Sequence, residues 1–317
     1  GYLYAVTGTL NMADMAIRIQ ELMDSQAVLI GIALIVVGLG LKAAVFPMHG
    51  WLPDAYTYAP PQVTAFIAGV MTKVSAYVLF RVSFFVLGGA NEAVGAALAV
   101  MGWIAAVGII MGSVLAIAQK DLRRMLAYSS VAQIGYIILG IAIGNVFALI
   151  GALLHILNHA VMKTCLFLAA GGVKWRTGEH DITKIAELSG KMPLTMGAFL
   201  IVALSMVGLP PTAGFFSKWY LVLGALEVNM WPYVVVIIIS SLLNAVYFFR
   251  VIENFFLRKR SDEGVEKGIA APRKGLELPV TMLIPIVILG IGILVIGIMN
   301  SQIVTNILQF SVPGGGL

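Results

Sequence analysis

Residues 146–171 read VFALIGALLHILNHAVMKTCLFLAAG. At about 1.5 Å rise per residue this run is long enough to cross a hydrocarbon layer about 30 Å thick. It contains no acidic residue, yet it carries His155, His159 and Lys163 at i, i+4 and i+8. Those three fall within about 80° of one another around a helix, and Asn158 extends the stripe. Leu153, Ile156, Leu157, Val161 and Leu166 cover the remaining faces. A spanning helix with such a stripe has to turn it toward other protein or internal water. The run therefore predicts a membrane bundle, not a single anchor.

Three more lysines repeat the problem: Lys42, Lys73 and Lys218 also lie inside apolar runs. Each lysine near a span centre costs roughly 2.5–3.5 kcal/mol on insertion scales, so four cost about 10–14 kcal/mol before compensation. Lys73 sits near the middle of its run, too deep for its ammonium to reach the headgroups easily; Lys42 and Lys218 could snorkel only if they lay at helix ends. Apolar runs fall at 26–46, 62–88, 93–118, 122–143, 146–171, 194–226, 232–257 and 279–310, giving about eight spans. The sixth contains Gly208-Leu209-Pro210-Pro211 and Gly214. Consecutive prolines remove backbone donors, so two half-helices are expected there. The first run ends comparably, with Gly38 and Gly40 before Lys42 and then Pro47. The Pro47–Pro61 link, with His49, Trp51, Asp54, Tyr56 and Tyr58, reads as an interfacial or re-entrant segment.

The chain of 317 residues is 60% hydrophobic and 11% charged, with mean hydropathy +0.97. Soluble domains run near 25% charged, so this is an all-α polytopic membrane protein with the lipid bilayer as its surroundings. Its net charge of +5 does not indicate nucleic acid, because the cations sort into loops of one side. Those loops hold Lys120, Arg123 and Arg124; then Lys174, Arg176, Lys184 and Lys191; then Arg258, Lys259, Arg260, Lys267, Arg273 and Lys274. Arg18 is the one clear cation of the opposite loops. The positive-inside bias puts the basic loops and Pro47–Pro61 in the cytoplasm and the C-terminus outside, as for a cell membrane protein. Residues 174–191 fit a short surface helix or a solvated loop equally. Gly1–Thr7 reads like the last turns of a spanning helix, which suggests a chain whose N-terminal part is missing or separate.

The chemistry of these groups points to protons. Ser129, Gln133 and Tyr136 share one face of the 122–143 run and could support a water chain, or simply pack helices through hydrogen bonds. Arg250 and Glu253, three apart, are expected to pair. Mid-span acids, the hard oxygen ligands that sodium favours, are missing. Buried lysines and histidines are groups on which a proton can come and go. The His155/His159 pair lacks further ligands for zinc or haem, and Cys165 stands alone, so no cofactor, metal site or redox centre is expected.

Four blocks then carry a resemblance. Gly40-Leu41-Lys42-Ala43-Ala44-Val45-Phe46-Pro47-Met48-His49-Gly50-Trp51-Leu52-Pro53-Asp54-Ala55 is the first. Asp121-Leu122-Arg123-Arg124-Met125-Leu126-Ala127-Tyr128-Ser129-Ser130, with Gln133 to Tyr136, is the second. His159-Ala160-Val161-Met162-Lys163 with Leu166-Phe167-Leu168, and Gly208 through Lys218, complete the set. In this order they resemble the antiporter-like proton-translocating membrane subunits of Mrp sodium/proton antiporters, respiratory complex I and energy-converting membrane-bound hydrogenases. The resemblance implies a fold of about fourteen spans with two inverted five-helix repeats, of which this chain would be the C-terminal part. Residues 1–25 would be a helix stub and external link, 26–88 the last two spans of the first repeat, and 89–257 the second repeat. A basic cytoplasmic loop, 258–278, and a closing span, 279–317, would follow. It also implies a relay through Lys42, Lys73, His155, His159, Lys163 and Lys218, supported by Ser129, Gln133, Tyr136 and Asn158. Lysine at 218 resembles the D-type Mrp antiporter and hydrogenase members of the family. Partners would be other membrane subunits, with a carboxylate facing Lys42 from the missing N-terminal half or a separate chain. The rival readings are an accessory scaffold with an incomplete relay and a stand-alone secondary transporter.

Overall fold

The computed structural model describes residues 1–89, 91–178, 180–183, 192–257 and 277–314. Two short helices, α1 (Tyr2–Thr7) and α2 (Met12–Arg18), precede the first long one, α3 (Gln26–Ala43). There follow α4 (Trp51–Tyr58), α5 (Pro61–Arg81, extended by a wide turn to Val86), α6 (Glu92–Ile117), α7 (Leu122–Ile143) and α8 (Val146–Thr177). Then come α9 (Pro193–Val207), α10 (Ala213–Glu227), α11 (Trp231–Ile252), α12 (Val280–Ile298) and α13 (Asn300–Ile303). Local chemistry sets the joints. The side chains of Asn91, Asp121 and Asn145 accept from first-turn amides of α6, α7 and α8, the usual N-terminal caps.

Among the described residues, seven helices are long and apolar enough to cross a membrane: α3, α5, α6, α7, α8, α11 and α12. The eighth span is the expected broken one, made of α9 and α10, each 15 residues and about 22 Å long. Gly208 at the break has φ of +96°, a left-handed conformation that glycine adopts without steric cost. A methyl at Gly214 would run into the Ser205 carbonyl, and one at Gly297 into the Pro211 carbonyl. Only glycines there let α10 start against α9 and let α12 seat on the break.

The first run also stops as expected. It ends at Ala43, with Ala44 at φ +60°, and the chain turns through Val45–Gly50 into the short α4. Two bounds differ from the sequence reading. α8 continues to Thr177, because its Lys174–Thr177 turn stays helical beyond the apolar run. The last run is not one helix: α12 ends at Ile298, and the buried Asn300 starts a separate turn. The basic loop at 258–276 and the 184–191 part of the 174–191 stretch lie outside the described residues.

α8 is the axis of the bundle, packed against α5, α7, α9, α10 and α12, while α6 lies along α7. The connections expected on one side do converge. Arg124 pairs with Asp54 at 3.1 Å, and Leu122 N donates to His180 O at 2.9 Å. Arg123, 1% exposed, donates to Tyr56 O (2.9 Å), Thr64 Oγ1 (2.8 Å) and Ala59 O. Glu277, at the end of the third basic connection, accepts from Leu194 N and Thr195 Oγ1 at the start of α9, and its own carbonyl accepts from Arg176. At the other side Asn145 donates to Glu227 and Gly224. One expectation fails: Arg250 forms no ion pair with Glu253. Its guanidinium instead donates to Ile117 O (2.9 Å) and Gln119 O, satisfying carbonyls left open where α6 ends.

Candidate functional site

α8 delivers His155, Asn158, His159 and Lys163 to the centre of the bundle, all at 0% exposure. The period of the helix puts them on one side, and α5, α7 and α10 close around that side. Lys163 Nζ donates to Leu126 O at 2.8 Å and to Ser129 Oγ, both on α7. One turn along α7, Gln133 Oε1 meets His155 Nε2 at 2.9 Å. From α10, Ser217 Oγ meets His155 Nδ1, also at 2.9 Å. The two histidine rings stack nearly parallel, with centroids 6.0 Å apart.

The second half-helix brings another lysine. Lys218, 6% exposed, folds back across the break and donates to Met206 O (2.9 Å), Val207 O (3.0 Å) and Ser241 Oγ (3.1 Å). Those carbonyls are the open C-terminal end of α9, which carries partial negative charge and suits an ammonium. Its Nζ lies 5.0 Å from the centre of the Tyr136 ring, whose other neighbour is His155 at 5.5 Å between centroids. Lys73, 4% exposed on α5, donates to Thr72 Oγ1 (3.3 Å) and Ala68 O. It lies within electrostatic reach of His155, His159 and Lys163.

Five basic side chains thus share one interior, and among the described residues no aspartate or glutamate is buried with them. Like charges at such spacing cannot all be protonated together at low cost. Three side chains of the site have hydrogen-bonding atoms that no protein group meets: both ring nitrogens of His159, the Gln133 amide nitrogen and Asn158 Oδ1. Buried polar atoms of this kind are normally satisfied, often by internal water. Ser217 adds a further degree of freedom. It has one proton and two acceptors in range, His155 Nδ1 and Gly214 O at 3.1 Å. It can donate to a neutral His155, or turn to Gly214 and accept from a protonated one.

Not every predicted residue joins. Lys42 is exposed in the last turn of α3, with no side-chain hydrogen bond or ion pair among the described residues. Asn158 donates to Ala213 O at 2.7 Å, so it holds the first residue of α10 and does not face a lysine. Tyr136 serves through its ring more than through its hydroxyl, whose partner is Ile237 O at 3.5 Å. Sequence reading missed Ser217, Ser241, Asn244 and Tyr247. The last three form a polar patch on apolar α11, where Asn244 donates to Met206 O and accepts from Tyr247. Their spacing along α11 was the signal available. Among the described residues no three His, Cys, Asp or Glu side chains converge as a metal would need.

Comparison with known proteins identifies the family. A family model described as NADH:quinone oxidoreductase/Mrp antiporter, TM, matches residues 1–244. The chain is 57% identical, over 99% of its length, to the N subunit of NADH-quinone oxidoreductase from Desulforudis audaxviator, covering 63% of that protein. It is 34% identical, over 71% of its length, to a sodium/proton antiporter subunit of Alkalihalophilus pseudofirmus, covering 45% of it. A chain in the structure of the archaeal membrane-bound sulfane sulfur reductase, a respiratory membrane complex, superposes with a TM-score of 0.86 at 30% identity, covering 98% of this chain and 60% of that one. The chain therefore spans between about half and two thirds of the length of these relatives. Among the described residues seven helices are of crossing length and an eighth span is broken, and the family model and the 57% identical relative show the group: this multi-pass membrane protein belongs to the NADH:quinone oxidoreductase/Mrp antiporter transmembrane family.

Proposed function

We propose that this chain is the proton-relaying part of an antiporter-like membrane subunit. It would work within a multisubunit complex of the Mrp or redox-driven kind, such as the relatives named above. The observation that carries this reading is the file Lys73, Lys163, His159, His155, Lys218, buried in the bundle interior with no carboxylate buried beside it among the described residues. Because the groups repel one another when charged, an extra proton on one favours release from its neighbour, which is a hop along the file. His155 is the middle step: it is linked on one side to Gln133 and on the other to Ser217, beside the half-helix that carries Lys218. Internal water bridges His159 to Lys163 and Lys73, while its ring stacks on His155.

Lys42 stands apart from the file, and in this reading it meets a carboxylate supplied by further residues of the same protein or by a neighbouring subunit. The basic connections face the cytoplasm and the C-terminus faces outward, as the positive-inside bias directs. The 57% identical relative carries the NADH-quinone oxidoreductase name, so the lysine at 218 does not by itself assign the chain to the Mrp type.

The test is Lys73→Ala and Lys73→Arg in the assembled complex, reconstituted into vesicles containing a pH-sensitive dye. Both variants should assemble and both should lose proton transport, since a guanidinium effectively never gives up its proton. Near-normal transport by Lys73→Arg sinks the idea that protons cycle on this residue.

A further inference from the structure

We infer that the basic side of the bundle holds a built site for the phosphate headgroup of an anionic phospholipid. A cavity of about 310 Å³ opens there, lined by Thr57 and Tyr58 of α4, Asp121 and Arg124 at the start of α7, Lys174 of α8, and His180. It lies apart from the buried file and is independent of the relay.

The chemistry of the lining favours a phosphodiester. The Lys174 side chain has no hydrogen bond or ion pair among the described residues, so its ammonium is available to a ligand. Arg124 is held in place at 3.1 Å by Asp54, with its side chain still 35% exposed. Asp121 Oδ1 accepts from Arg124 N at 2.9 Å, so the one lining carboxylate is directed at the backbone of α7. Arg124 and Lys174 stand against Asp121 and Asp54, and with Arg124 held by Asp54 the Lys174 ammonium is the lining cation that no carboxylate among the described residues offsets. A phosphate oxygen can take the Lys174 ammonium and the outer face of the Arg124 guanidinium together.

The depth of the cavity selects a lipid over a soluble phosphate. α8 has 32 residues and runs about 48 Å, well beyond a hydrocarbon core of about 30 Å. Its final turns, with Lys174, therefore emerge at the headgroup layer. Tyr58, 77% exposed, and Trp175, 36% exposed, flank the same level as interfacial aromatics do. Three residues after Tyr58 the chain enters α5, whose first turns expose Val63 and Phe66 as apolar surface for acyl chains.

The assembled complex in phosphatidylcholine vesicles, doped with spin-labelled phosphatidylglycerol, tests this through the immobilised lipid signal. Each basic residue at a membrane surface contributes about 1 kcal/mol toward an anionic lipid. Lys174→Gln should therefore weaken the specific component about fivefold, and Lys174→Glu, a change of two charges, about thirtyfold. Lys120→Glu, on the same basic side of the bundle but outside the cavity, should change it little. Wild-type retention by Lys174→Glu overturns the site. Equal loss from Lys120→Glu overturns it too, since bulk surface charge would then account for the binding. Competition by soluble glycerol phosphate as strong as by phosphatidylglycerol would also overturn the lipid assignment, by making the ligand a free phosphate.

Discussion

The molecule contains two broken helices built from the same ingredients, glycine, lysine and proline, and they come out differently. In the first, α3 ends at Ala43, and Lys42 lies in the last turn of its own half-helix, exposed and without a side-chain partner among the described residues. In the second, Lys218 lies after the break and reaches back onto Met206 O, Val207 O and Ser241 Oγ. Both arrangements put an ammonium near the carbonyl end of a half-helix, where the helix dipole favours it. Only the second is enclosed, by α8, α11 and α12. The break sets where the lysine's charge belongs. Surrounding helices decide whether that charge is sealed inside, and around Lys42 they are not among the described residues.

This contrast can be broken experimentally, most severely at the lysines. Lys218→Ala should lower proton transport by the assembled complex by about 10²-fold or more, the usual cost of deleting a group that hands on a proton. Lys42→Ala should match it only in a complex where a carboxylate faces Lys42. If Lys42→Ala is fully active there, the two breaks do different jobs and the symmetry argument ends. At the level of packing, Gly214→Val drives a side chain into the Ser205 carbonyl and should cost about 1–3 kcal/mol of stability, read as a lower unfolding midpoint in detergent. Gly38→Ala, with open space around its position, should be neutral or stabilise the isolated chain by up to about 1 kcal/mol. A large loss from Gly38→Ala would show that the first break is as tightly packed as the second. The last comparison concerns the ties at each break. Asn158→Ala frees the buried Ala213 carbonyl and should cost about 1–3 kcal/mol. Trp51→Phe removes only the 2.9 Å bond to the exposed Leu41 carbonyl and should stay near about 0.5 kcal/mol. Equal costs would erase the difference in enclosure.

Much of the fold was legible because a bilayer leaves few solutions. Apolar runs of spanning length located the helices, though α8 runs on to Thr177 and α12 stops at Ile298, and Pro210-Pro211 located the second break. The charge sorting grouped connections that do meet, through Arg123, Arg124 and Asp54. The site was legible in its residues but not in its partners. A stripe of His155, His159 and Lys163 declares an inward face, yet nothing local says that Gln133 and Ser217 will flank His155 or that Asn158 will hold Ala213. Those are meetings between helices 22 to 62 residues apart in sequence. Arg250 shows the same limit from the other direction. The near neighbour Glu253 was the obvious partner, and the unfilled carbonyls at the end of a different helix took it instead.

Arg123 carries one more consequence, a mechanical one. Its guanidinium clips the far end of α4 and the start of α5 to the first turn of α7, out of reach of solvent. Swinging α4 away would strand a charge in a dry setting, at a cost of several kcal/mol. That end of the segment therefore behaves as a riveted strut. Ser129, the seat of Lys163, stands on the same α7 rod, less than two turns further along. Flexing near Lys42 is left to the unclipped half, α3 and the Val45–Gly50 elbow, while the floor beneath Lys163 is held by the Arg123 clip.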